Sequence, residues 1–277
     1  MAPLDGMAAL VTGGGSGIGL ACAQRLANDG ALVTICGRTE QRLADAVAAI
    51  GDQARYVVAD IADEAAVTKA AKEAAEPLGG LHIVVANAGG TQAIGPLALI
   101  DKAAFEDDLS VNVTGTFLTI KAAVPFLAAP GQGGGSIVAV SSIAAALTHP
   151  LMAPYSVAKA ALDMLVRNAA DELGAFGIRV NGVRPGLVPT GASDPLVSHE
   201  PTRDDYLAQM PLGRLGTVDD VAAAVRFLAG PESSWITGEM LNVDGGHTLR
   251  RGPNLDALVG VHFAEALEAR LGSAARA

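Results

Sequence analysis

Short, continuous apolar runs alternate along this chain with longer stretches of helical period. MAALVT, ALVTIC, ARYVVA, LHIVVAN, SIVAVS and IRVNGVRP read as strands, and EMLNV adds a short seventh. Helical periodicity falls near 18–29, 40–50, 64–77, 101–128, 154–175 and 218–229. Because the strand runs do not alternate with polar residues, both faces of each strand must be covered. Strand–helix–strand alternation then predicts an α/β protein with a doubly wound, mostly parallel seven-stranded sheet.

Composition narrows the class. The 277 residues are half apolar and rich in glycine, enough for one large core and one domain over 1–250. A net charge of −10 without any basic stripe argues against a nucleic-acid partner. No apolar run looks as long as a membrane span, and the start of the chain does not have the shape of a signal peptide. A cytoplasmic protein with no membrane contact is expected. Cys22 and Cys36 fall in a predicted helix and a predicted strand and read as buried, reduced thiols. GQGGGS at 131–136 reads as a surface loop before the fifth strand. No metal site is assigned.

Two stretches carry candidate chemistry. Thr12-Gly13-Gly14-Gly15-Ser16-Gly17-Ile18-Gly19 follows the first strand and opens the first helix. In that position, backbone N–H groups and a helix N-terminus can face a pyrophosphate, and glycine lets the backbone come close. Farther on, Tyr155 and Lys159 lie one helical turn apart, and Ser142 lies thirteen positions before the tyrosine. A phenol as proton donor, an ammonium favouring its phenolate and a hydroxyl to hold an oxygen form an acid–base set. Ser141 would point to the opposite side of an extended chain, so the spacing selects Ser142.

TGGGSGIG, then Asn87-Ala88-Gly89, then Ser142, Tyr155 and Lys159, then Pro185-Gly186 resemble the short-chain dehydrogenase/reductase family in order and spacing, from residue 7 to about 246. The T-G-x-x-x-G-x-G form, with Gly13, Gly17 and Gly19, resembles its single-domain subclass. The resemblance implies a Rossmann-type three-layer fold, a nicotinamide cofactor and oxidoreduction between a secondary alcohol and a ketone. It places Gly15, Ser16 and Ile18 around the pyrophosphate, Asp60 and Ile61 beside the adenine, and Asn87, Ala88 and Gly89 close to the cofactor ribose. It gives Asn112, in VNVTG, a water linking the catalytic lysine to solvent. It gives the backbone of Val188 the carboxamide, and Thr190 that group or a phosphate. Tyr155 would be the acid/base and Ser142 the hydrogen-bond donor to the reacting oxygen. Lys159 would lower the tyrosine pKa and hold the ribose. Asp60 reads equally as the cap of the third helix. Arg184 stands where the family often has asparagine, and no reading is attached to it.

The end of the second strand bears on the nucleotide. Gly37 occupies the place of an acidic residue that would bind ribose hydroxyls, and Arg38 follows. A missing carboxylate with a guanidinium beside it favours NADP(H) over NAD(H). Glu40 is near enough to bind a hydroxyl.

Residues of about 189–213 should form a substrate lid, with Leu151, Met152, Leu196, Tyr206 and Met210 as an apolar lining. His199 and Arg203 are candidates to meet an acidic substrate. The helix of Tyr155 shows a second apolar face at Val157, Ala161 and Met164, which predicts burial on two sides. With the resemblance, that implies a homotetramer, or failing that a dimer. Residues 251–277 form an extension with an amphipathic helix near 256–271, preceded by Leu255 and expected to pack on a partner subunit near its substrate entrance. The substrate could be a 3-oxoacyl thioester, a steroid, a sugar-derived ketone or a xenobiotic. A non-catalytic nucleotide-binding scaffold, or a lyase or epimerase on the same fold, is the competing reading.

Overall fold

A computed structural model describes residues 2–91, 93–127 and 134–250, together with Leu255. The chain runs through β1 (Ala8–Thr12), α1 (Gly17–Asn28), β2 (Leu32–Gly37), α2 (Glu40–Ile50), β3 (Ala54–Val58), α3 (Glu64–Ala75) and β4 (Ile83–Ala86). It continues through α4 (Lys102–Leu109), a π-helical turn (Ser110–Thr114), α5 (Gly115–Leu127), β5 (Ser136–Val140), α6 (Ala153–Leu173) and β6 (Arg179–Pro185). The last part holds α7 (Asp194–Ser198), α8 (Glu200–Gln209), α9 (Val218–Ala229) and β7 (Met240–Val243).

The sheet order is β3-β2-β1-β4-β5-β6-β7. Every pairing is parallel, so the sheet expected to be mostly parallel is wholly so. Winding starts at β1, runs outward to β3, then returns to β4 on the other side of β1. That reversal opens a crevice at the carboxyl ends of β1 and β4, where ligands of such sheets bind.

Alternate strand residues feed two cores. Val11, Val33, Ile35, Val85 and Val138 pack with α1 and α9 on one face. Leu10, Cys36, Val84, Ile137 and Ala139 pack with α3, α5 and α6 on the other. A period of two with both faces apolar yields the continuous runs seen in the sequence. Alanines such as Ala70, Ala71, Ala74 and Ala123 keep the α3 and α5 backbones close to the sheet. Both cysteines are buried and reduced, and burial pushes their thiols up to about 12.

Three expectations change. By length and hydropathy the run Lys102–Leu127 could cross a bilayer, contrary to the reading that no run is long enough. Here it is a layer element: α5 packs along α3, and the run carries Asp108 and Asn112 buried inside the protein. The single helix expected over 101–128 is broken by the π-helical turn at Asn112. Asp60 does not cap α3; Asp63 does, accepting from the Ala65 and Ala66 N–H groups, while Asp60 accepts from Ala62 in its own turn. The amphipathic helix expected near 256–271 and the start of the GQGGGS loop lie outside the described residues.

Candidate active site

The site grows from the carboxyl end of β1. Gly13 and Gly17 have φ of 65° and 54°, which side chains with a Cβ rarely adopt. A Cβ on Gly19 would meet the Gly13 carbonyl oxygen at 2.3 Å and the Asn87 Nδ2 at 2.4 Å. Asn87 holds this turn in shape: its amide donates to the carbonyls of Thr12 (3.0 Å) and Gly13 (3.3 Å). The N–H groups of Asn87 and Ala88 in turn donate to the Thr12 hydroxyl at 3.0 and 3.1 Å. So the NAG segment does structural work that its reading as a ribose-lining turn did not include. Gly17 is approached by the Thr190 methyl, since a Cβ there would lie 3.2 Å from it. The glycine turn and the segment after β6 therefore face each other across one crevice. Ser16 stands at the N-cap of α1 without a side-chain cap bond, and Ile18 packs onto the core beneath. Gly15 sits over Arg42 and Leu43 of α2. Arg38 is exposed at the end of β2, and Ile61 packs against Gly115.

β5 and α6 bring the acid–base set together. Lys159 is only 3% exposed. Its ammonium donates to the Val140 carbonyl at 3.0 Å and lies 5.6 Å from the centre of the Tyr155 ring. Burial pulls the lysine down to about 8, against the opposing pull of Asp163 and Asp108. Burial pushes the Tyr155 phenol up, a hydrogen bond with Ser142 pulls it down, and Asp108 pushes it up again. Ser142 caps a 3-10 turn through its hydroxyl, which accepts from the Ala144 N–H at 3.1 Å. Ser141 points the other way and donates to Asp163 at 2.6 Å, as the spacing argument required.

Asn112 sits in the π-helical turn, fully buried. Its amide donates to the carbonyls of Gly90 (2.7 Å) and Asp108 (2.9 Å), and its side-chain oxygen accepts from the Gly90 N–H at 3.1 Å. It therefore pins the loop after β4 beside the lysine. A Cβ on Gly89 would lie 2.6 Å from its oxygen and 3.3 Å from the lysine ammonium. That closeness is why Gly89 must be glycine.

The residue without a reading, Arg184, has a partner. Its guanidinium donates to Asp163 through Nε at 2.7 Å and Nη2 at 2.5 Å. Asp163 lies on α6 one turn beyond Lys159 and also takes the Ser141 hydroxyl. One buried carboxylate thus ties β5, α6 and β6 together directly behind the lysine. Beyond β6, Gly186 closes on β7, where a Cβ would meet the Asp244 Cα at 2.9 Å. Pro185 ends the strand, and the Val188 carbonyl accepts from the Ser193 hydroxyl at 2.6 Å.

The segment expected to form a lid holds α7 and α8. Tyr206 and Met210 pack on Ile143 and Leu187, and Leu196 reaches both this group and the Leu151–Met152 pair beside Tyr155. All five proposed lining residues therefore fall in two apolar clusters that Leu196 joins. Tyr206 also meets His247 edge-on at 5.5 Å and His149 at 6.3 Å, a cluster the sequence reading missed. The two histidines lie 98 positions apart in the chain, so no local pattern marks them. His149 donates from Nδ1 to the Leu147 carbonyl, and burial holds it below the ordinary histidine range. His199 bonds Thr202, and Arg203 pairs with Asp204 and Glu200, so both are engaged within α8.

Comparison with known proteins fits this geometry. The family model described as enoyl-(acyl carrier protein) reductase matches residues 13–248. Cis-4-hydroxycyclohexanecarboxylate dehydrogenase of Sinomonas cyclohexanicum is 40% identical over 244 residues, covering 87% of this chain and 96% of that protein. Dehydrogenase/reductase SDR family member 4 of Bos taurus is 37% identical, covering 88% of each chain. A solved short-chain type dehydrogenase/reductase from Mycobacterium ulcerans superimposes with a TM-score of 0.92 at 40% identity, over 96% of this chain and 98% of that one. This chain belongs to the short-chain dehydrogenase/reductase family of oxidoreductases.

Two outcomes follow from the buried charges. Asp163→Asn strands the Arg184 guanidinium and should lower unfolding stability in urea by about 3–5 kcal/mol. Asp163→Leu combined with Arg184→Met should recover most of that loss. The second outcome concerns pH. The folded-state pKa of Lys159, about 8, lies below its free value of 10.5, so the folded protein sheds this proton first. The cost of burying the ammonium is complete below pH 8 and fades as pH rises through the window up to 10.5. Wild type should therefore gain stability relative to Lys159→Met between pH 7 and 10.5, by at most ~3 kcal/mol. A pH-independent difference would contradict that burial cost.

Proposed function

We propose that the protein is an NAD(P)-dependent dehydrogenase/reductase that interconverts a secondary alcohol and a ketone. The observation that carries this is the buried Lys159 ammonium set against the Tyr155 ring at the head of α6, with Ser142 near enough to draw the phenol's pKa down. A ketone oxygen placed there receives a hydrogen bond from Ser142 and a proton from Tyr155. In the reverse direction the phenolate takes the alcohol proton, and the ammonium favours that phenolate against the burial that pushes the phenol up. Asn112 keeps the loop beside the lysine in place and carries the water link from Lys159 to solvent.

The crevice fits a dinucleotide. The Gly13–Gly19 turn has backbone close to the surface, the open N-terminus of α1 favours negative charge, and Thr190 faces Gly17 from the other wall. The bound nicotinamide supplies the hydride acceptor or donor. Gly15, Ser16, Gly17 and Ile18 would flank its phosphates, and Asp60 and Ile61 its adenine. Ala88 and Gly89 would flank its ribose, and Lys159 would donate to the ribose hydroxyls. Pro185, Gly186 and Val188 would hold the carboxamide end. Arg38 supports NADP(H): it is exposed where a ribose 2′-phosphate would lie, and Gly37 brings no carboxylate. Glu40 accepts instead from the Tyr56 hydroxyl at 3.3 Å.

The name of the Sinomonas relative makes ring alcohols and ring ketones the first substrates to try, before 3-oxoacyl thioesters and steroids. A homotetramer is supported by the apolar side chains exposed on α5 and α6, with Phe117 at 46%, Val157 at 48% and Met164 at 52%.

The test is nucleotide titration with NADPH and NADH, followed by turnover on cyclic ketones. Tyr155→Phe should keep nucleotide affinity and lose about 10²–10⁴ in kcat. Retention of wild-type turnover in that variant would eliminate the proton-transfer role and favour a scaffold that only binds nucleotide.

A further inference from the structure

Leu255 lies beyond β7 in the C-terminal extension, yet it is completely buried. It belongs to neither sheet-layer core. Its cluster is Leu151 and Met152, against which Ile94, Tyr155 and Leu196 pack. These come from four separate places: the loop after β4, the entry to α6, the acid–base tyrosine itself and lid helix α7. All of them stand on the substrate side of the crevice.

Leu151 adds an independent mark. It has a φ of 67°, and no other described residue except glycine has a positive φ. For a side chain with a Cβ, that region is strained and persists only where the surroundings over-determine it. Two contacts do so. The Leu151 carbonyl accepts from the Gly95 N–H at 2.8 Å, which ties it to the loop that holds Ile94. Its side chain is turned into the cluster that Leu255 completes. The strained backbone therefore presents an apolar wall directly before the tyrosine helix.

We infer that Leu255 is a specificity-determining residue: with Leu151, Met152, Ile94 and Leu196 it closes the apolar wall that faces the carbonyl substituent of the substrate beside Tyr155. The inference rests on the reading of Tyr155 as the acid/base group and deepens it. The wall takes an apolar, alicyclic or short aliphatic substituent and limits its bulk.

The test uses the full chain loaded with nucleotide and a size-graded set of ketones, from cyclopentanone through cyclohexanone to 4-tert-butylcyclohexanone. Leu255→Ala should raise kcat/KM for the bulkiest ketone relative to the smallest by about tenfold, the scale of a few methylenes in an apolar pocket. Leu255→Phe should shift the ratio the other way, and Leu255→Met should keep the wild-type order. Nucleotide affinity and the pH dependence of turnover should not move. Ketone binding measured by calorimetry in a Tyr155→Phe background reads the same size order without turnover. An unchanged order in both Leu255→Ala and Leu255→Phe, a uniform loss across the set, or no ketone binding at all would overturn the inference. Full turnover by Tyr155→Phe with a shifted size order would instead overturn the proton-transfer reading and leave the wall in place.

Discussion

A single ammonium group sets the terms for this site. Lys159 is buried, and a buried lysine charge costs free energy unless groups around it respond. Its neighbours do respond: the Val140 carbonyl accepts a hydrogen bond from it, and Asp163 and Asp108 supply opposite charge. Those groups sit on β5, α6 and α4, so holding one charge fixes how three elements meet. The Arg184–Asp163–Ser141 network makes the same junction rigid from behind, tying in β6 as well. The residues assigned to substrate and nicotinamide emerge from these strand ends, so the parallel sheet holds the geometry of the candidate site.

The second constraint is close approach. Gly13, Gly19 and Gly89 each lie where a Cβ would strike Asn87, Asn112 or the lysine. Asn87 and Asn112 both spend their amides on backbone, one on the glycine turn and one on the loop after β4. Together they join the carboxyl ends of β1 and β4, the point where winding reverses. The crevice is thus shaped by amide–backbone bonds, with the charge of Lys159 and its partners set behind it.

Much of this was legible in the sequence because it is written in local pattern. Strands buried on two faces give continuous apolar runs, and the glycine turn, the Ser142–Tyr155–Lys159 spacing and the Pro-Gly segment each mark themselves within a few residues. What was not legible depends on residues far apart in the chain. The Arg184 partner lies on α6, and the Thr12 hydroxyl serves the end of β4. His149 and His247 meet around Tyr206 only after folding. The choice between Asp60 and Asp63 as the cap of α3 turned on a helix start three residues later than the first aspartate suggests. The π-helical turn at Asn112 carries no propensity signature and follows from the amide bonds its side chain makes. Leu255 was visible as an apolar residue at the start of the extension, while its packing on Leu151 and Met152 needed the fold.

The claim at the centre is that the lysine charge makes the Tyr155 phenolate accessible. The direct measurement is the pH dependence of kcat for alcohol oxidation by wild type and by Lys159→Met, both saturated with nucleotide. Loss of the ammonium should move the acidic limb to higher pH, because the phenolate then forms without an adjacent positive charge. A limb at the same pH in both proteins, with only its height changed, would show that Lys159 positions the nucleotide and does nothing to the tyrosine.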